Sequence, residues 1–321
     1  MSGHLLEARN LARHFRQRGT HSVLRAVDGL DFTIEEGSTL CVVGESGSGK
    51  STLARLVMAL DRPTAGEVIF AGESLFTQPA HRLTRLRRGF QMVFQDPYGS
   101  LDPRQTVARI IAEPLHLDPG APRGAARRAR VAEVLSQVGL AAGDADRLPH
   151  QFSGGQRQRI AIARALISGP RLVVADEPVS ALDLSIQAQV LNLLMDLRDR
   201  QGLAFLFISH NLAVVQVLAD RIAVMYRGRF VETGPADEIF RRPMHPYTRL
   251  LLEAEPRIDA PRRHAGRLVT PSRADGTGEW SSACAFASRC PHATEECTTR
   301  SPPTIAIAAD HVVTCHYAGQ I

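Results

Sequence analysis

The chain has 321 residues, enough for about two domains, and at 44% hydrophobic it carries the apolar content of a folded core. Its longest apolar runs, such as the one from Ala204 to Ile208, fall far short of the ~18 residues needed to cross a bilayer, and the opening seven residues have neither a basic flank nor a sustained apolar segment. A globular cytoplasmic protein is the expectation; the +5 charge, from 38 basic and 33 acidic residues, would suit nucleic acid or an acidic membrane surface but is spread along the chain without a basic tail or cluster, so charge alone decides little.

In chain order, residues 27–34 alternate apolar and polar as a strand, and 38–43 form a continuous apolar strand. The latter runs through a glycine-rich turn into an amphipathic helix over 51–60, and 66–70 reads as a further strand. From about Asp96 to Gly169 the chain is rich in Ala and Arg, with a helix over 125–138 and no strand, which predicts a helical insertion. Residues 172–175 and 203–209 are buried-type strands, separated by a helix in which Ile186, Val190, Leu193 and Leu197 recur at 3.6 spacing. A hairpin over 221–233 turns at Arg227-Gly228. This alternation predicts an α/β fold with a parallel sheet covered by helices. Beyond about Arg241 the composition shifts to Pro, Arg, Ser and Thr, and four of the five cysteines crowd between Cys284 and Cys315. That tail is expected to form a separate unit.

Three motifs carry chemistry. Gly44-Glu45-Ser46-Gly47-Ser48-Gly49-Lys50-Ser51, with Thr52 following, fits G-x-x-x-x-G-K-[ST] and lies between a strand and a helix, where backbone N–H groups can wrap phosphates. Lys50 is the only lysine, all other basic residues being Arg, and it falls where a compact ammonium is wanted on the β and γ phosphates. Ser51 would ligate Mg²⁺. At the end of a buried strand, Asp176 would hold the hydrated metal and Glu177 would polarise the attacking water as catalytic base. Ser153-Gly154-Gly155-Gln156, opening the helix over 157–167, makes a second anion site. One nucleotide does not need two such sites from one chain, so the economical reading is a dimer in which the Ser153 loop of one subunit covers the γ-phosphate held by the Lys50 loop of the other.

Phe152-Ser153-Gly154-Gly155-Gln156 resembles the signature of the ATP-binding cassette (ABC) ATPases, and the resemblance implies a P-loop NTPase (RecA-like) core with an antiparallel β subdomain. It also implies further roles. Gln95 matches the glutamine that contacts Mg²⁺ and water and senses the membrane partner, Asp183 in Ser180-Ala181-Leu182-Asp183 lies in the loop bridging two subunits, and His210 matches the switch histidine at the γ-phosphate. Asn211 stands where the family usually has Asp. Phe15 aligns with the aromatic that stacks on adenine, a core residue being the alternative reading. The stretch from Gln95 to Pro103, the run Met244-His245-Pro246-Tyr247-Thr248 and the cysteine-rich end are similar to the dipeptide/oligopeptide importer ATPases. Residues 1–240 are then the nucleotide-binding domain, with a helical subdomain over about 96–169, and 241–321 the extension. The resemblance implies a peripheral ATPase on the cytoplasmic face of the inner membrane that uses ATP and Mg²⁺. It would pair with a sister ATPase or a second copy and drive two permease subunits, supplied by an extracytoplasmic binding protein, to import di- or oligopeptides. Import of nickel or another small solute is the alternative. A cassette ATPase acting on nucleic acid or ribosomes generally has two cassettes or long coiled-coil insertions, and neither is present.

Cys284, Cys290, Cys297 and Cys315 are separated by five, six and seventeen residues, whereas Cys41 is a small core residue. Four thiols together in a cytoplasmic protein argue for a metal rather than disulfides. The spacing lacks the short pairs of structural zinc and suits an iron–sulfur cluster, while His292, His311 and His316 keep zinc open. Packing residues without a metal are the third reading. The resemblance implies a [4Fe-4S] cluster. Because Lys50, Ser153, Asp176 and Glu177 lie outside the tail, its loss is expected to impair assembly or stability more than ATP binding.

Overall fold

The structure, a computed structural model, describes residues 3–16, 22–96, 99–254 and 283–320; Met1, Ser2, Pro97 and Tyr98 of the segments singled out above lie outside them. The chain opens with the antiparallel pair β1 (Leu6–Arg16) and β2 (Val23–Ile34). After β3 (Thr39–Val43) and α1 (Lys50–Val57), β4 (Ala65–Phe70) joins the free edge of β1 and β5 (Glu73–Ser74) follows, giving a sheet ordered β2-β1-β4-β5. Next come α2 (Ala80–Leu86) and β6 (Phe90–Val93), then α3 (Val107–Ile111), α4 (Gly124–Gln137) and α5 (Gly154–Leu166), with no strand among the described residues of 96–169. β7 (Leu172–Asp176), α6 (Leu184–Gln201), β8 (Ala204–Ser209), α7 (Leu212–Leu218) and β9 (Arg221–Tyr226) then alternate. Last are β10 (Arg229–Pro235), α8 (Ala236–Arg241), α9 (Pro246–Glu253), α10 (Glu295–Thr299), β11 (Thr304–Ala308) and β12 (His311–Thr314).

The main sheet is ordered β11-β12-β10-β9-β3-β8-β7-β6, parallel from β9 to β6 and antiparallel beyond β9. Its central strands read as unbroken apolar runs because both faces are covered. In β3, Leu40 and Val42 face the core shared with the four-stranded sheet and α1, while Cys41 and Val43 face the helical side. Cys41 is fully buried. The hairpin between β9 and β10 turns through Arg227 at φ 43° and Gly228 at φ 83°, the left-handed pair that a tight two-residue turn requires.

In its described residues the tail is not the separate unit expected. β12 pairs with β10, Glu232 opposite Val313 and Thr233 opposite Val312, so its hairpin extends the main sheet. Phe286 is buried in the helical-side core, its ring 5.3 Å from Tyr226 and 5.4 Å from Tyr247. Local composition marks this region as irregular, whereas its apolar side chains are completed by partners distant in sequence.

Candidate active site

Three glycines shape the loop between β3 and α1. Gly44 at φ 153° and Gly49 at φ 111° occupy backbone conformations that L side chains rarely adopt. A Cβ on either would also meet a carbonyl oxygen, at 2.1 Å from Met225 and 2.0 Å from Ala26 respectively. Gly47 at φ 79° faces open space, so there the backbone angle alone selects glycine. No side chain caps the start of α1, which leaves its first-turn N–H groups pointing toward an incoming phosphate.

Lys50 is buried, its Nζ donating to the carbonyls of Gly44 at 2.8 Å and Glu45 at 2.9 Å. Burial pushes its pKa below the usual lysine value while Glu177, Asp176 and Glu45 pull it back up. Ser51 Oγ lies 3.4 Å from Asp176 Oδ1, across the mouth of the loop. Burial, with Glu177 adding to it, raises the Asp176 carboxyl against the opposing effects of Ser51 and Lys50. A carboxylate in that condition beside a hydroxyl fits a hydrated Mg²⁺, which would supply charge to the β and γ phosphates when bound.

Glu177, Gln95 and His210 come together from three segments. The Glu177 carboxylate accepts from Gln95 Nε2 at 3.1 Å and pairs with His210 Nδ1 at 3.0 Å. Gln95 follows β6, Glu177 follows β7 and His210 follows β8, so the parallel order β6-β7-β8 delivers all three to the same C-terminal edge of the sheet. The Glu177 backbone is held at φ 47°, with its N–H donating to Ile208 O at 3.0 Å, a left-handed geometry that costs roughly 1–3 kcal/mol and fixes where the carboxylate points. Held this way, the carboxylate can accept a proton from a water lined up on a γ-phosphate. Asn211 is the N-cap of α7, its side chain accepting the Val214 N–H at 3.2 Å, which gives this position a structural task that Asn performs as well as Asp.

The second anion site stands at the start of α5. Ser153 and Gln156 form a reciprocal capping box, with Gln156 N–H donating to Ser153 Oγ at 3.3 Å and Ser153 N–H to Gln156 Oε1 at 3.0 Å. Gly154 is half-buried, and a Cβ on Gly155 would sit 2.4 Å from Ile186 Cγ2, so glycine there lets α5 approach α6. Asp183 caps α6 through its carbonyl, which accepts from Ile186 and Gln187, and its side chain is exposed. Thr52 lies half-buried in the first turn of α1, and Ser46 at the loop crest is exposed. Phe15 sits on β1 opposite Leu24, under the Arg13 guanidinium at 4.5 Å, in a sheet whose β2 abuts Gly49 at Ala26.

Two contacts escaped the sequence reading and correct one expectation. Arg289, from the cysteine region, donates to both carboxylate oxygens of Glu45 at 2.8 Å, and Tyr247 Oη accepts the Glu45 N–H at 2.9 Å. The tail therefore touches the phosphate loop. Nothing in local pattern links residues 244 positions apart. Cys284, Cys290, Cys297 and Cys315 are free thiols that line one small cavity with His245, His292 and His316.

Residues 27–180 match the family model described as ABC transporter, and residues 231–297 the one described as oligopeptide/dipeptide transporter, C-terminal region. The chain is 47% identical to the di/tripeptide transport ATP-binding protein DppF of Pseudomonas aeruginosa (strain UCBPP-PA14), over 98% of both chains. It is 45% identical to the dipeptide transport ATP-binding protein DppF of Escherichia coli (strain K12), over 93% of this chain and 90% of that one. Among solved structures, the dimeric ATP-binding cassette MJ0796, in a post-hydrolysis state with ADP and Pi, superposes with a TM-score of 0.65 at 30% identity, covering 72% of this chain and 98% of that one. With its phosphate loop, its Gln95–Glu177–His210 cluster and its C-terminal region, this chain belongs to the ABC transporter ATPases, in the branch that carries the oligopeptide/dipeptide C-terminal region.

Proposed function

We propose that the chain is the ATP-hydrolysing subunit that powers import of di- or oligopeptides through a membrane permease. The observation that carries this reading is near-full-length similarity to proteins named for di- and tripeptide transport, continuing through the C-terminal region. Residues 1–240 act as the nucleotide-binding domain, with 96–169 as its helical part and 241–321 as an extension fastened to it.

The permease subunits dock in a groove lined by Leu60, Phe90, Phe94, Gln95, His116 and Arg164, where Leu60 and Phe94 are exposed apolar side chains. Gln95 stands in that wall and also holds Glu177, so a segment seated in the groove acts on the base through one side chain. No helix among the described residues is long and apolar enough to cross a membrane. Attachment to the cytoplasmic face of the inner membrane is assigned to the permease contact. A sister ATPase or a second copy supplies the Ser153 loop to the Lys50 loop; Leu184, 81% exposed beside Asp183, supports an interface there. An extracytoplasmic binding protein delivers the substrate, and nucleic acid has no part in the cycle.

Four free thiols around one cavity are a suitable donor set for a [4Fe-4S] cluster. Among the described residues no group of three or more His, Cys, Asp or Glu side chains is gathered as a metal ion demands, and the assignment rests on the number and chemistry of the thiols alone. The cluster would join segments on both sides of α10. Iron and acid-labile sulfide in anaerobically purified protein, lost on Cys297→Ser, test this assignment; zinc near one per chain would overturn it in favour of a Cys/His site, and neither metal would leave the cysteines as packing residues.

The test of the transport reading is ATP-dependent uptake into vesicles holding the chain with its permeases and binding protein. Accumulation of a labelled dipeptide, uncompeted by nickel, supports it. Uptake of nickel without dipeptide would transfer the assignment to a small-solute importer.

A further inference from the structure

Glu45, the second residue of the phosphate loop, is held at three points. Its carbonyl accepts from Lys50 Nζ at 2.9 Å, its N–H donates to Tyr247 Oη at 2.9 Å, and its carboxylate receives two parallel bonds from Arg289, both 2.8 Å. Arg289 is pinned by more than charge: its side chain is 15% exposed, and its guanidinium lies 5.8 Å from the Tyr226 ring and 5.7 Å from the Phe286 ring. Tyr247 is fully buried, with Tyr226 at 4.6 Å and Phe286 at 5.4 Å. These two rigid supports belong to the C-terminal region, Tyr247 in the first turn of α9 and Arg289 immediately before Cys290.

A loop built on Gly44, Gly47 and Gly49 has wide conformational freedom, and fixing it around a phosphate costs entropy at each binding event. A bidentate Arg–carboxylate pair removes that freedom geometrically as well as energetically. The Glu45 N–H is already engaged by Tyr247, so this residue serves as the anchor of the loop, while its carbonyl holds the ammonium of Lys50 in place. We infer that Arg289 and Tyr247 are positioning residues for nucleotide binding, clamping Glu45 so that the phosphate loop is formed before ATP arrives. This goes beyond the transport reading and depends only on ATP binding at the loop, not on what is imported or what fills the cysteine cavity.

The experiment is equilibrium MgATP binding to the full-length chain. Arg289→Ala and Glu45→Gln should each weaken binding by about five- to tenfold, and the double variant should be no weaker than the worse single one. Tyr247→Phe should lose about two- to threefold, and Arg289→Lys, which keeps the charge without the fork, should recover part of the loss. In the assembled transporter, KM for ATP should rise with kcat little changed. Glu45→Gln keeps Arg289 in its ring packing, so it decides the matter even where Arg289→Ala fails to fold. Wild-type affinity in Glu45→Gln, or a double variant whose loss equals the product of the two single losses, would overturn the inference.

Discussion

Replacing Glu177 with Gln removes one proton acceptor and leaves the surrounding geometry nearly intact. The amide has the length of the carboxylate, its oxygen can still accept from Gln95 at the observed 3.1 Å, and its NH₂ can face His210 Nδ1 at 3.0 Å in the tautomer that accepts. Lys50 and the loop glycines are untouched. Loss of the Glu177 charge removes one of the three carboxylates that support the Lys50 ammonium, and it also removes a negative charge that would oppose a γ-phosphate. These two effects have opposite signs for nucleotide affinity, so MgATP should bind within about threefold of the wild type, or about 0.6 kcal/mol. Turnover is different. A positioned general base contributes about 10²–10⁴ in rate, about 3–5 kcal/mol of barrier, and none of that survives in the amide. The assay is phosphate release by the assembled transporter beside MgATP binding on the same preparation, with nucleotide-trapped dimers as the accumulating species. Turnover within a few-fold of the wild type would refute the assignment of Glu177 as base.

Other substitutions separate structural from chemical roles. Asn211→Ala removes the α7 cap and should cost about 1 kcal/mol of stability in denaturant unfolding with turnover nearly unchanged; a loss of turnover as large as that of Glu177→Gln would give Asn211 a chemical role. Gly155→Ala places a methyl 2.4 Å from Ile186 Cγ2 and should destabilise by about 1–3 kcal/mol, an unchanged unfolding midpoint contradicting the tight approach of α5 to α6. Burial holds the His245 imidazole down to about 4, against an ordinary 6.5, so the unfolded chain takes up its proton first as pH falls. Its contribution is complete at neutral pH and is lost between about 6.5 and 4, by about 3 kcal/mol at most. His245→Asn, which can still accept the Tyr247 N–H, should flatten that acid limb in unfolding measured across pH, and an unaltered limb would assign it elsewhere.

What the sequence made legible was local. The glycine pattern of the phosphate loop, the Asp176-Glu177 pair after a buried strand and the Ser153-Gly154-Gly155 helix start are short-range features whose chemistry follows from adjacent residues. The strand β1 was hidden because Asn10, at φ 43°, interrupts its alternation, and the register shifts between Ala8 and Leu11 opposite β2. The short strand β6 leads directly into the Gln95 segment and has only four residues to declare itself. In the tail, β12 earns its place through β10, and Arg289 finds Glu45 across the whole fold, so neither has a local periodicity to read. Long-range pairing of this kind is set by tertiary partners and leaves no spacing signal.

The central claim is that each hydrolytic site is divided, the phosphate loop of one subunit facing the Ser153 loop of another. Ser153→Arg tests it most directly, by measuring MgATP binding to the isolated chain and hydrolysis by the assembled transporter side by side. The substitution removes a helix cap, worth about 1 kcal/mol of stability, whose partner is Gln156 in the same helix. The divided site predicts affinity within about twofold of the wild type and hydrolysis reduced by about a hundredfold or more, as for removal of an oxyanion-type donor set. A parallel fall in the affinity of the isolated chain would place the Ser153 loop in its own subunit's site and contradict the account.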